Sequence, residues 1–338
     1  MKVYAGIDLH SSNNYLGIID DNDKRVYGRR MSNDLNRVLI ALEPFRDRLE
    51  GVVVESTYNW YWLVDGLQAH GYNVHLANPS AIKQYEGLKH TDDKWDSFWL
   101  AHMYRLNILP EGYIYPKAHR PIRDLLRRRL LFVRQRTSQI LSLQSMVTRN
   151  LGFKISNNNI KKLKVKDAQG LFDSSNLAFM AGNSIATIEF LKKIIKGIES
   201  RVKSQVKLRK EFMLLQTIPG IGNILALTIM LEIGDINRCK KVGNYASYCR
   251  CVKSQRLSDG KKKGENNKKN GNKYLAWAYV EAANFAVRHN AKAQRFYQRK
   301  KAKTNGIVAI KALSNKISRA SYYIMRDQVP FDEKMLFG

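Results

Sequence analysis

Cysteine is scarce in this chain, with three among 338 residues: Cys239, Cys249 and Cys251. Three thiols build no disulfide framework, and Cys249-x-Cys251 lacks the paired cysteines or histidines a zinc site needs. They read as buried or half-buried thiols of a reducing compartment. Long apolar runs are missing as well, none approaching the ~20 residues of a membrane span. The opening MKVYAGIDLHSS meets an acid within one short strand and has no signal-peptide apolar region or cleavage site. These absences predict a cytoplasmic protein with no membrane partner. No repeat of fixed period is present.

The remaining shortage is of negative charge. Lysine and arginine number 58 against 29 acids, a net charge of +29. The imbalance is uneven: residues 1–115 hold 12 basic and 15 acidic side chains, and residues 116–338 hold 46 and 14. A charge of +32 on the second part repels itself unless a polyanion neutralises it, and nucleic acid is the usual partner. A merely basic soluble surface would leave the acidic first third without a purpose. Carboxylates beside nucleic-acid phosphates make chemical sense when metal ions lie between them. With 44% hydrophobic and 10% aromatic residues, the chain has ample material for folded cores.

Residues 3–9, 14–20 and about 25–31 read as an antiparallel three-strand meander turning at His10-Ser11-Ser12-Asn13. Leu35, Val38, Leu39, Leu42 and Phe45 then recur at helical spacing. Gly51-Val52-Val53-Val54-Glu55 is a short apolar run ending in an acid, as in a buried parallel strand. A helix over 59–69, a strand over 73–77, a helix starting at Pro79 and a helix over about 92–107 complete the first domain, 1–115. Three strands followed by alternating helix and strand is the order of the ribonuclease-H-like, resolvase-like α/β fold. Residues 116–210 form a helical hairpin or coiled-coil connector. Its first helix runs from about 120 to 151 on Ile122, Leu126, Leu130, Val133, Ile140, Val147 and Leu151, with an arginine-rich outer face that includes Arg127 and Arg128. Its second runs over about 185–213 on Ile188, Leu191, Ile194, Ile195, Ile198 and Val202, and residues 154–167 between them read as a loop. Residues 211–338 are all-α, broken by a Gly/Lys/Asn-rich loop at 258–273. The tryptophans sit on helical patterns and read as core.

Three constellations carry chemistry. Asp8 on the first strand, Glu55 on a central strand, and Asp93 with Asp96 on one face of a helix could hold two divalent cations, with Mg²⁺ the default for hard oxygen ligands. Any one of these acids could be an ordinary capping or surface residue, with Asp92 or Asp93 as an N-cap; Asp92 points elsewhere and is left out. The order of all four supports a site. The hairpin GIDLHSSNNYLGIID also resembles the phosphate loop of actin-like sugar kinases, but the second Asp-Gly loop and adenosine motif of those folds are missing. LLQTIPGIGNILALTI, residues 214–229, fits a helix-hairpin-helix, in which Gly220 and Gly222 would open backbone N–H groups to a phosphate; a tight turn packing two core helices is a plainer reading, compatible with the first. In residues 250–290, Lys261, Lys262, Lys263, Lys268, Lys269 and Lys273 surround a flexible loop and suit phosphate contacts or a solvated surface. Ser258 stands beside that loop, although exposed loop serines are common and the residue type alone does not single it out.

GIDLH at 6–10, VVVES at 52–56, TDDKWDS at 91–97, IPGIG at 218–222 and the S-D-G…NGNKYL…EAA stretch of 258–283 together resemble the DEDD insertion-sequence transposases with a catalytic serine. These are the bridge-RNA-guided recombinases related to pilin-gene invertases. The resemblance spans nearly the whole chain. It implies that Asp8, Glu55, Asp93 and Asp96 bind metal and that Ser258 attacks a DNA phosphodiester to form a covalent phosphoserine intermediate. It also implies a bacterial or archaeal, nucleoid-associated protein that binds donor and target DNA and a guide noncoding RNA. Dimers and a tetramer would share composite active sites. Departures are Lys253 where proline is usual, Asp259 after the serine, and Ser97 after the last acid; Ser254 is a fallback nucleophile. Two other readings remain: a resolvase-like, structure-specific nuclease without the covalent serine step, and a noncatalytic nucleic-acid-binding protein.

Overall fold

The computed structural model describes residues 1–82, 92–206, 210–265 and 270–337. The chain divides into two compact units, Met1–Lys117 with Glu265–Asn270, and Ala118–Gly264 with Gly271–Gly338.

The first unit is mixed α/β. Strands β1 (Val3–Leu9), β2 (Asn13–Asp20) and β3 (Arg25–Ser32) form the meander, and helix α1 (Leu35–Leu42) follows, capped by the Asp34 side chain. A 3-10 turn at Glu43–Arg48 takes over where Pro44 removes a backbone donor, so the apolar spacing through Phe45 outlasts the α-helix itself. Then come β4 (Leu49–Glu55), α2 (Tyr61–Ala69), β5 (Val74–Ala77) and α3 (Asp93–Arg105). The sheet order is β3-β2-β1-β4-β5, with β4 parallel to β1 and β5 parallel to β4. Residues 79–81 form a turn, and the rest of the helix expected from Pro79 lies largely outside the described residues.

Period-two alternation sorts β1 between two layers. Val3, Ala5, Ile7 and Leu9 join Val38, Leu42, Leu63 and Leu67 in a core beneath α1 and α2. Tyr4, Gly6 and Asp8 therefore face the other side, where α3 packs. The approach of α3 is close because Gly6 has no side chain: a Cβ there would collide with the Ser97 carbonyl oxygen. A Cβ on Gly17 would sit 2.7 Å from Ser97 Oγ, so the small buried serine after the last acid also fits this packing.

The second unit is almost wholly helical. Helices α4 (Arg120–Leu151) and α6 (Ser175–Gln205) form the expected hairpin and share a core of Ile140, Leu143, Val147, Ala181, Ile185 and Ile188. Two details differ from expectation. The second helix begins ten residues early, hidden in the sequence by the small and polar run around Gly182, which packs against Ala168 and Val165. The expected loop at 154–167 contains α5 (Asn157–Ile160) and the start of a 3-10 turn at Val165–Gly170, whose Ile160 and Ala168 are buried in the hairpin core. The remainder comprises α7 (Lys210–Leu215), α8 (Asn223–Ile233), α9 (Val242–Tyr248), the hairpin β6 (Arg256–Ser258) and β7 (Lys261–Gly264), α10 (Lys273–His289), α11 (Ala291–Lys303), α12 (Gly306–Asp327) and α13 (Glu333–Phe337). Trp60 is core, while Trp95 and Trp99 are half-buried and stack along α3 with ring centroids 5.2 Å apart.

Candidate active site

The four acids come from three elements, and the fold brings them together. Asp8 lies near the end of β1, 3% exposed. Ile7 pairs with Val54 in the parallel register, which sets Glu55 beside Asp8. Asp93 and Asp96 occupy the first turn of α3, whose N-cap is Asp92: its carboxylate accepts the Trp95 N–H at 2.7 Å. The acid left out of the quartet is thus the cap. Docking of α3 on Gly6 presents that first turn to the strand ends.

The electrostatics are those of crowded carboxylates. Burial, a hydrogen bond with Asp8 and the charges of Asp8 and Asp96 push Glu55 up to about 7 from an ordinary value of 4.5. Asp96 is likewise raised by burial and by the charges of Asp8 and Asp93. Glu55 and Asp96 resist ionisation unless a cation joins them. The rim is different: despite partial burial, hydrogen bonds from His10 and Arg30 hold Asp93 below the usual carboxylate range. His10 Nε2 lies 3.1 Å from both Asp8 Oδ2 and Asp93 Oδ1, and an Arg30 guanidinium N–H donates to Asp93 Oδ2 at 2.6 Å. Although burial opposes it, Asp8 and Asp93 raise the His10 pKa.

His10 and Arg30 were not foreseen from the sequence. His10 stands inside the GIDLH motif directly after the acid-bearing strand, a usable signal; Arg30 is one of several arginines on β3 and offers none. The ligand atoms of Asp8, His10 and Asp93 lie within 4.8 Å of one another. This hard-oxygen set with one imidazole, close to Glu55 and Asp96, which resist ionisation, fits a divalent cation.

Ser258 belongs to the second unit. It ends β6, exposed, and pairs with Lys261 across a turn formed by Asp259 (φ 52°) and Gly260 (φ 65°). Two successive left-handed residues make a type I′ hairpin turn, for which Asp-Gly is a favoured pair. Asp259 therefore has a local structural reason. Lys261 and Lys263 are exposed on β7, which also includes Lys262; Lys273 opens α10 with its ammonium over the Tyr274 ring; Lys268 and Lys269 lie outside the described residues. Ser254, the fallback, is half-buried ahead of β6.

One nucleic-acid expectation needs correction. Arg127 does not lie on an outer face: its guanidinium forms two 2.7 Å bonds to Glu232 of α8, a residue 3% exposed, and covers the Tyr274 ring. Only Arg128 of that pair is exposed. The IPGIG turn joins α7 to α8. Gly220 (φ +89°) abuts α10, where a Cβ would strike the Ala282 carbonyl oxygen, so this glycine serves packing. Gly222, the N-cap of α8, has open space around its Cβ position and remains accessible.

Two known protein families match parts of the chain. Residues 5–150 match a DEDD transposase family of IS110 type, and residues 213–298 match the family described as transposase IS116/IS110/IS902. A search of curated proteins returned no match. The first match contains all four clustered acids and the second contains the IPGIG turn and the Ser258 hairpin; the chain belongs to the IS110-family DEDD transposases, enzymes of DNA transposition.

Proposed function

We propose that this transposase is an RNA-guided recombinase that cuts and rejoins DNA through a covalent serine intermediate. The observation that carries the reading is the convergence of Asp8, Glu55, Asp93 and Asp96 at the strand ends of a ribonuclease-H-like sheet. These residues would hold a divalent ion. Such an ion, when bound, stabilises charge on the phosphate and on the leaving oxygen. Ser258 Oγ attacks the phosphorus and loses its proton, the bond to one DNA oxygen breaks, and that oxygen leaves as a hydroxyl. A phosphoserine ester conserves the bond for attack by a second DNA hydroxyl, which releases the serine. Exposure of Ser258 on a tight hairpin beside Lys261 and Lys263 supports its role. The excess of basic residues beyond position 115 supports neutralisation of both DNA and a guide RNA. Functionally the chain is read as the catalytic domain 1–115, the connector 116–210 and the serine-bearing domain 211–338. Dimers and a tetramer bring the acids of one subunit to the serine of another.

Full-length protein with its copurified RNA tests the reading. Ser258→Ala is expected to abolish the covalent DNA adduct and recombination; full recombination by that variant sinks the covalent step, and cutting without adduct in the native chain favours a plain nuclease. Asp8→Asn is expected to cut at least about 10³-fold more slowly while still retaining RNA and DNA. Recovery of only random cellular RNA would overturn guidance.

A further inference from the structure

The first unit is net acidic, yet four arginines fall within thirteen residues of it: Arg25, Arg29, Arg30 and Arg37. Arg25 covers the Phe98 ring at 4.4 Å. The other three line one open groove of about 910 Å³ along β3 and α1, and no carboxylate lines it among the described residues.

The groove follows the free edge of the sheet, since β3 is the outermost strand. Alternation along β3 sends its two central arginines to opposite faces. Arg30 turns to the α3 side and reaches Asp93, at the rim of the carboxylate cluster. Arg29 shares its face with Tyr27 and Met31, towards α1, and is exposed. From α1, Arg37 reaches the same groove, 65% exposed and only 3.8 Å from Asp34. Tyr27 and Phe45 meet edge to face at 5.8 Å on its floor, and Ile40 stands 73% exposed on its wall.

Charge on an edge strand commonly serves to block edge-to-edge pairing. That role accounts for Arg29 alone. It does not account for Arg37, which comes from a helix, or for Arg30, which lines the groove and pairs with Asp93. Guanidinium forks match phosphate oxygens, and half-buried aromatics with an exposed aliphatic side chain resemble the lining of single-strand grooves.

We infer that this groove is the path of a DNA strand entering or leaving the carboxylate cluster, with Arg29 and Arg37 on successive phosphates and Arg30 at the junction with the site. DNA is chosen over RNA because Arg30, which lines the groove, also pairs with Asp93 of the cluster where DNA is processed; in that respect the inference rests on the proposed function.

Site-directed photo-cross-linking in the full-length chain tests it. Ile40→Cys carries a photoactivatable group, and the probes are mixed-sequence single-stranded DNA and RNA oligonucleotides of equal length. The expected result is a DNA adduct preferred over RNA that falls at least tenfold in Arg29→Ala/Arg37→Ala. The double variant is also expected to lower the salt slope of DNA binding by about 1.4, at about 0.7 per single-strand phosphate. An undiminished adduct, an unchanged slope in a variant with native melting, or preferential RNA capture overturns the path. Repeating the cross-link with Asp8→Asn separates the two readings: an adduct without cleavage keeps the groove, whereas failure of the native chain to cleave DNA indicts only the proposed chemistry.

Discussion

Each unit buries a carboxylate on a helix or strand, and the two are treated in opposite ways. In the second unit, Glu232 receives both arms of Arg127 and a 2.7 Å bond from the Asn272 amide, so charge and lone pairs are matched. In the first, Asp8, Glu55 and Asp96 crowd one another, and His10 stands at the rim, 3.1 Å from Asp8. A matched buried acid is a structural tie. Buried acids pressed together store electrostatic repulsion that a bound cation relieves.

The comparison breaks first on stability. Arg127→Ala strands a buried Glu232 and is expected to cost about 3–5 kcal/mol, read by denaturant unfolding. Asp8→Asn, in metal-free protein, removes a repelling charge and is expected to leave stability unchanged or slightly higher. Equal losses in the two variants would mean that the acid cluster is an ordinary polar tie.

A smaller effect sharpens it through pH. Glu55 titrates near 7 in the folded chain against an ordinary 4.5. Because the folded-state value is the higher one, its protonation stabilises the fold below about 4.5, and that stabilisation is lost as pH rises through 7. Metal-free protein should therefore melt progressively lower between pH 5 and pH 7.5, and Glu55→Gln should flatten this part of the profile. The smallest expected shift comes from the cation itself: millimolar Mg²⁺ or Mn²⁺ should raise the melting temperature at pH 7.5 by roughly 2–4 °C, less at pH 5, and not at all in Asp8→Asn.

Much of this was legible in the linear chain. The strands of the meander, β4 and β5 follow from local alternation and apolar runs, and they appear within about two residues of expectation. The acids stood out because metal chemistry restricts residue type and because Asp93 and Asp96 share a helix face. Arg127 misled for a physical reason: its partner Glu232 is 105 residues away, and helical periodicity cannot distinguish an arginine facing solvent from one facing a distant buried acid. Gly220 left two compatible readings open, since a phosphate-binding turn and a close helix contact both require a residue without a side chain.

Sequence by itself determined which residue types were present for the chemistry, the strand-and-helix order that carries them, and the separation of an acidic from a basic region. Tertiary structure alone decided which charges meet. Gly6 lets α3 settle onto β1, parallel register places Glu55 beside Asp8, and His10 closes the rim over both Asp8 and Asp93. Local sequence encodes backbone preference and side-chain facing over a few residues; distances between elements come from packing across the whole chain, and it is distance that separates a tied carboxylate from one poised for a cation.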